Sequence, residues 1–172
     1  MKRRFRVGVL VGTIASVILI VVIAVFVLPV LILGIIFAPP WQGMSEVVRD
    51  FGRNQEELMI VRDYLVGLGY EFITIRPNRE TGPQISDPRA DAAVDTLFER
   101  GYRIISKRAN GLVFTRWSNT DRAVGVVYSM DGNAVGEDVL NFLTQIEPLD
   151  EEGWFFFVDD FNEWRVRNAI RN

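Results

Sequence analysis

Hydrophobic positions follow two different patterns along this chain. From Val7 to Ala38, thirty-two uncharged and mostly apolar residues run on without a break. Beyond them, apolar positions recur with short periods and are punctuated by Gly, Pro, Asn and Asp. A run with no polar face suits lipid, and a spanning helix needs about 20 residues. Two spans would need about 20 residues each plus a turn, so the run predicts one span. It is longer than a bilayer requires. Pro29 either kinks the helix or ends it, leaving Val30 to Phe37 as an interfacial continuation. Pro39 and Pro40 stop it, and Trp41 falls where an aromatic belt residue sits. A cleaved secretory leader has an apolar core of about 7–15 residues. This run is far longer and no small-x-small cleavage site closes it, so a retained anchor is expected.

The second pattern predicts a folded domain. Val47, Val48 and Phe51 make one apolar patch, interrupted by Gly52. Asn54 followed by Glu57 has the form of a capping box. Leu58, Val61, Leu65 and Leu68 then recur at helical spacing, with Gly69 as the stop. Tyr70 to Arg76 is rich in aromatic and β-branched residues and predicts a strand. Pro77 to Ile85 predicts a loop. Asp87-Pro88 opens a helix, with an acceptor at the cap and proline in the first turn. Its buried face is Ala90, Val94, Leu97 and Phe98, and Gly101 ends it.

Tyr102 to Lys107 and Leu112 to Trp117 flank Asn110-Gly111, a hairpin signal because both residues tolerate positive φ. Ala123 to Ser129 predicts a further strand and Asp131-Gly132 another turn. Val139 to Ile146 fits helix or strand, with a strand favoured over its latter half before Pro148. A turn at Asp150 to Gly153 leads into the strand Trp154 to Val158. Asp160 with Glu163 repeats the capping pattern and starts a last helix, with Phe161 and Trp164 facing inward. Arg165, Arg167 and Arg171 fall toward its C-terminal end, where they complement the dipole.

Together these predict an α+β fold: one transmembrane helix, then a small domain with a mostly antiparallel sheet and about three helices. The expected organisation is a basic tail over residues 1–6, an anchor over 7–38, a linker over 39–45 and a soluble α+β domain over 46–172. There is also an internal echo. Residues 62–78 and 94–110 align at an offset of 32, and seven of the seventeen positions match, among them Gly69/Gly101, Tyr70/Tyr102 and Ile73/Ile105. A helix–Gly–Tyr–strand unit occurring twice would explain it, as would the commonness of glycine-stopped helices entering strands.

Charge adds direction. Lys2, Arg3, Arg4 and Arg6 precede the apolar run, against Arg49 and Arg53 soon after it. The positive-inside rule therefore places the N-terminus in the cytoplasm and the domain outside the cell membrane. Those four are among 19 basic residues; the remaining 15 face 22 acidic ones, a net charge of −7. A net-negative domain is repelled by polyphosphate chains, so no nucleic-acid partner is expected. The expected partners are the lipid bilayer, an envelope protein, and a second copy of the chain through the anchor. Gly8, Gly12 and Ser16 carry that last expectation, since small residues at this spacing let two membrane helices approach closely.

Residue types narrow the chemistry. There is no cysteine, which removes disulfides, thiolate metal sites and a cysteine nucleophile. There is no histidine, the commonest general base and a frequent metal ligand. Acid–base chemistry would fall to carboxylates, and no cofactor is implied. Asp131-Gly-Asn133-Ala-Val135-Gly136 fits a calcium loop at three positions but places Val135 where an oxygen ligand is needed and Phe142 where glutamate closes the loop. A turn explains it better. Asp150 to Glu152 and Asp159-Asp160 are paired carboxylates that would need to converge on one cleft to act. Ser106 and Lys107 are neighbours on a strand and point to opposite faces, so they form no dyad.

Trp154 to Phe157 is a run of four aromatics. Alternation puts Trp154 and Phe156 on one face, Phe155 and Phe157 on the other. If both faces are covered, all four are core; if one is open, Trp154 and Phe156 are candidate partner-facing aromatics. The segment Trp154 to Trp164, with its aromatic run and Asp-Phe-Asn-Glu-Trp close, resembles the C-terminal signature of a family of small bacterial membrane-anchored proteins with no assigned activity. The likeness spans Tyr128 to Arg165. It implies a bacterial envelope protein and transfers no site residue. The functional expectation is a membrane-tethered extracytoplasmic interaction or sensor module without enzymatic activity; the alternative is a carboxylate-dependent enzyme acting on an envelope component.

Overall fold

A computed structural model describes residues 43–78 and 84–169. The apolar run, with Pro29, Gly8, Gly12 and Ser16, lies outside the described residues. Among the described residues no helix is long and apolar enough to cross a membrane.

The element order is α1 (Met44–Arg53), α2 (Gln55–Gly67), β1 (Phe72–Ile75), α3 (Pro88–Glu99), β2 (Ile104–Arg108), β3 (Gly111–Ser118), β4 (Arg122–Ser129), β5 (Leu143–Pro148), β6 (Trp154–Asp160) and α4 (Phe161–Ala169). The described domain is a small α+β unit with a six-stranded antiparallel sheet, order β1-β2-β3-β4-β6-β5, and four helices. The expected antiparallel sheet is present; the helices number four rather than about three, because α1 and α2 are separate elements broken at Asn54.

The two faces of the sheet are covered differently. Val47 and Phe51 of α1, Leu58, Val61 and Leu65 of α2 and Val94 and Leu97 of α3 pack on one face, against Ile73, Ile105, Phe114, Val126, Trp154 and Phe156. Burying each such side chain is worth about 1.5–3 kcal/mol, so this layer supplies most of the hydrophobic drive. On the other face a smaller cluster forms where Val135, Val139 and Leu140, from the segment joining β4 to β5, lie over Val113, Val127 and Phe157. The aromatic run therefore serves both layers. Trp154 and Phe156 are each 1% exposed, so neither is a partner-facing residue. Helices cover their face of the sheet.

Helix ends depart from the sequence reading in two places. Asp87 caps α3 as expected, accepting from the Arg89 amide at 2.8 Å, and Gly101 (φ 94°) closes that helix with Tyr102 N–H to Leu97 O and Gly101 N–H to Phe98 O. This is a Schellman motif, in which glycine occupies the left-handed position at no steric cost. Its counterpart Gly69 does not stop α2, which ends at Gly67 and leaves through extended Leu68. Lys107 does the capping instead: its Nζ donates to Leu65 O at 3.0 Å and Leu68 O at 2.7 Å. The Asn54–Glu57 capping box is not formed, since the Asn54 side chain makes no cap bond to α2. At the end of the chain Asp160 does cap α4, accepting from the Glu163 amide at 3.0 Å. Phe161 and Trp164 are half-buried there, against Phe142.

The β2–β3 hairpin turns one residue earlier than Asn110-Gly111. Arg108 pairs with Gly111, so the loop is Ala109-Asn110, with Ala109 at φ 43°. Gly111 belongs to the strand and is needed for closeness rather than for φ: a Cβ there would lie 2.7 Å from Val139 Cγ1.

Candidate functional site

The covering segment between β4 and β5 reaches only part of its face. Beside it, toward β1 and β2, an open groove of about 890 Å³ is lined by Glu71, Phe72, Arg108, Ala109, Asp138 and Asn141. Alternation along β1 explains its floor. Ile73 and Ile75 point to the helix layer, so Phe72 and Thr74 point away from it. Phe72 is 64% exposed and Tyr70, just before the strand, 60%. Two large aromatics are thus left largely in solvent at the edge of the sheet.

Arg108 crosses this groove. It stands opposite Phe72 in the β1–β2 ladder, and its guanidinium lies 5.8 Å from the Phe72 ring centre. Its Nε is buried without a hydrogen-bond partner among the described residues. The guanidinium itself, held on an aromatic face at the groove wall, is a cation that an incoming carbonyl or carboxylate can meet. Glu71 and Asp138 add two carboxylates to the same groove.

The residues singled out from sequence do not converge on it. Asp131 accepts from Ser129 Oγ at 2.7 Å, the Asn133 amide at 2.9 Å and Asn110 Nδ2 at 2.9 Å. Those donors hold its carboxyl down, to about 2. They also occupy the oxygens a cation would need, and Val135, the mismatched position of the calcium-like motif, is in the core. Asp131 therefore ties the β2–β3 turn to the end of β4. Among the described residues no group of acidic side chains is placed to hold a metal ion.

Asp159 and Asp160 fall on opposite faces of β6. Asp159 accepts from the Phe142 amide at 2.6 Å and is pushed up, chiefly by burial. Asp160 sits 3.6 Å from Arg122 and caps α4. Glu151 meets Gln55 at the surface. Ser106 and Lys107 point apart, as strand geometry requires, with Lys107 spent on the end of α2. Tyr70, Phe72 and Arg108 were not singled out as site residues. The alternation of β1 carried a signal for Phe72, but the gap beside the β4–β5 segment depends on long-range packing.

No family model matches the chain, no curated protein matches it, and no solved structure matches it. The likeness of residues 128–165 to small bacterial membrane-anchored proteins has no counterpart in these comparisons.

Proposed function

We propose that the chain is a single-pass protein whose folded domain works outside the cell membrane by recognising a protein partner rather than by catalysis. The observation that carries this reading is the exposure of Tyr70 and Phe72 at the β1 edge, beside a groove holding Arg108. Aromatics and arginine are the side chains that most often dominate protein interfaces. An edge strand also offers unpaired backbone N–H and C=O groups to an extended segment of a partner. The uncharged run ahead of the domain and the basic cluster before it support the tethering and the orientation.

The test is recovery of an envelope protein by cross-linking in intact cells, followed by purification of the full chain. Tyr70→Ser and Phe72→Ser together should abolish the specific partner while leaving the thermal midpoint within about 2 °C, since exposed positions contribute little to stability. Recovery of the same partner by the double variant would sink the proposal. Protease added outside intact cells should cut the domain; full protection would reverse the orientation.

A second reading follows from Glu71 and Asp138 lining one groove. Two carboxylates flanking a substrate can divide acid and base roles. Under this alternative, hydrolysis of an envelope polymer by the full chain would be lost in both Glu71→Gln and Asp138→Asn. A chain without hydrolytic activity on such polymers removes it.

A further inference from the structure

A second recess, of about 380 Å³, opens on the helix side of the domain between the α1–α2 joint, the end of α3 and the middle of β3. Asp50, Arg53, Asn54, Arg100 and Arg116 line it. Three guanidiniums and the Asp50 carboxylate therefore line it, inside a domain that is net negative.

The fold makes special provision for Arg116. The β3–β4 register shifts between Thr115 and Trp117, a β-bulge that leaves Arg116 without a partner in the ladder, on the helix side with Leu112 and Phe114. Gly125 permits the bulge, because a Cβ there would lie 2.1 Å from Phe114 O. Gly101 permits the guanidinium, because a Cβ there would lie 1.9 Å from Arg116 Nη1. Tyr102 lies beneath, its ring centre 5.8 Å from the guanidinium carbon. Among the described residues its hydrogen bond is from Nε, which donates to Asp50 Oδ2 at 2.9 Å. That bond leaves the outer edge of its fork, the edge that grips oxyanions in pairs of hydrogen bonds.

Asn54 contributes by what it does not do. It occupies the cap position of the thirteen-residue helix α2, yet its Nδ2 donates to Asp50 O at 2.6 Å and its Oδ1 accepts from Arg100 Nη1 at 2.8 Å. The Asn54 side chain therefore caps none of the first-turn amides of α2, a turn that also carries Glu56 and Glu57. Helix N-termini carry partial positive charge and free donors. Arg100 also meets Glu57 Oε1 at 3.0 Å, which offsets one charge and still leaves a local excess of cations. Arg53 makes no ion pair among the described residues. The acidic surface farther away is screened beyond about 8 Å at physiological salt.

The geometry points to an oxyanion-binding site for a phosphate monoester group, gripped by Arg53, Arg100 and Arg116 at the uncapped end of α2. Such a group occurs on small solutes and on lipid headgroups alike, and the chemistry of recognition is the same. This site is independent of the β1 edge and does not rest on the proposed partner.

Phenylglyoxal labelling of arginines, mapped by peptide mass on the full chain in phosphatidylcholine bilayers, tests it at constant ionic strength. Inorganic phosphate is expected to slow labelling of Arg53, Arg100 and Arg116 about tenfold relative to chloride, the rate ratio of a site mostly occupied. Labelling of Arg165 is expected to be unchanged. Protection by phosphatidate in the bilayer but not by soluble phosphate would assign the group to a lipid; protection by both would assign it to either source. Arg53→Gln, an exposed change that breaks no ion pair, should reduce the protection of Arg100 and Arg116. No protection beyond chloride, equal protection by acetate, or undiminished protection in Arg53→Gln would each overturn the site.

Discussion

Thr74 stands directly opposite Ser106 in the β1–β2 ladder, and the two residues are 32 positions apart. That separation is the offset of the internal echo. The ladder consequently maps onto itself when the two helix–strand units are exchanged: Ile73 faces Lys107 and Ile75 faces Ile105, and each pair becomes the other. Within the ladder a local two-fold axis through the Thr74–Ser106 pair relates β1 to β2. The copies differ where their helices end. One uses Gly101 in the left-handed region, the other the ammonium of Lys107.

That difference makes Lys107 a structural cation. It is 7% exposed and donates to two carbonyls at the end of α2. Lys107→Met keeps the apolar stem but leaves the Leu68 carbonyl without its donor. The expected loss is about 1–3 kcal/mol, the cost of a buried acceptor left unsatisfied. Urea unfolding of the full chain measures it. A change below about 0.5 kcal/mol would mean that water replaces the ammonium freely.

The β2–β3 hairpin predicts different outcomes for two nearby substitutions. Ala109 holds φ at 43°, a conformation glycine adopts without strain. Ala109→Gly should therefore stabilise the chain, or leave it unchanged once the added freedom of the unfolded state is counted, within about 1 kcal/mol. Gly111→Ala should destabilise it by about 1–3 kcal/mol, because its methyl group meets Val139 and must push the β4–β5 segment off the sheet. Thermal midpoints of the two variants should move in different directions, or only Gly111→Ala should move. Equal losses would contradict the turn assignment.

Most of the fold was legible in local signals, and the misses share a cause. The periodicity of Leu58, Val61 and Leu65, the Asp87-Pro88 start and the alternation of Trp154 to Phe157 are all properties of adjacent residues, and each appears where its pattern placed it. The Asn54 cap, the Gly69 stop and the Asn110-Gly111 turn were also local readings. Each was overridden by a distant group: Arg100 takes the Asn54 oxygen, Lys107 caps α2, and Val139 requires a glycine at 111. The groove and the arginine recess were illegible for the same reason. Their residues come from elements that meet only once the sheet is assembled, and a bulge at Arg116 has no marker in its own sequence.

Two aspartates predict opposite responses to acid. Asp131 is lowered to about 2 by the donors of Ser129, Asn133 and Asn110, so its ionised form favours the folded state. That contribution is present above the ordinary carboxylate value and is lost as pH falls toward 2. Asp159 is raised, first by burial and then by neighbouring Asp160, against the Phe142 amide and Arg108. Its contribution runs the other way: stability is lost as pH rises from the ordinary carboxylate value through the raised one. Asp131→Asn should therefore be less stable than the parent at neutral pH, with the gap closing in acid. Asp159→Asn, whose amide oxygen can still accept from Phe142, should be more stable at neutral pH, with its gap also closing in acid. Thermal midpoints recorded from pH 7 down to about 3 decide it. Parallel curves for either variant and the parent would show that the carboxylate's ionisation does not matter there.

Trp154 makes the sharpest packing prediction. Its ring lies among Phe51, Phe114 and Tyr128, with centres 5.2, 5.5 and 5.3 Å away. The indole Nε1 is buried and has no hydrogen-bond partner among the described residues. A donor in that state costs about 1–3 kcal/mol, so the residue stabilises by area and shape while its nitrogen works against it. Trp154→Phe discards the donor together with part of the ring, and the two effects oppose. Its net cost should stay below about 2 kcal/mol, whereas Trp154→Ala opens a large cavity and should cost about 3–5 kcal/mol or more. The ratio of the two losses in urea unfolding is the measurement. If phenylalanine proves as damaging as alanine, the indole nitrogen has a partner in solution, and a buried water between the α1 layer and the sheet becomes the first place to look.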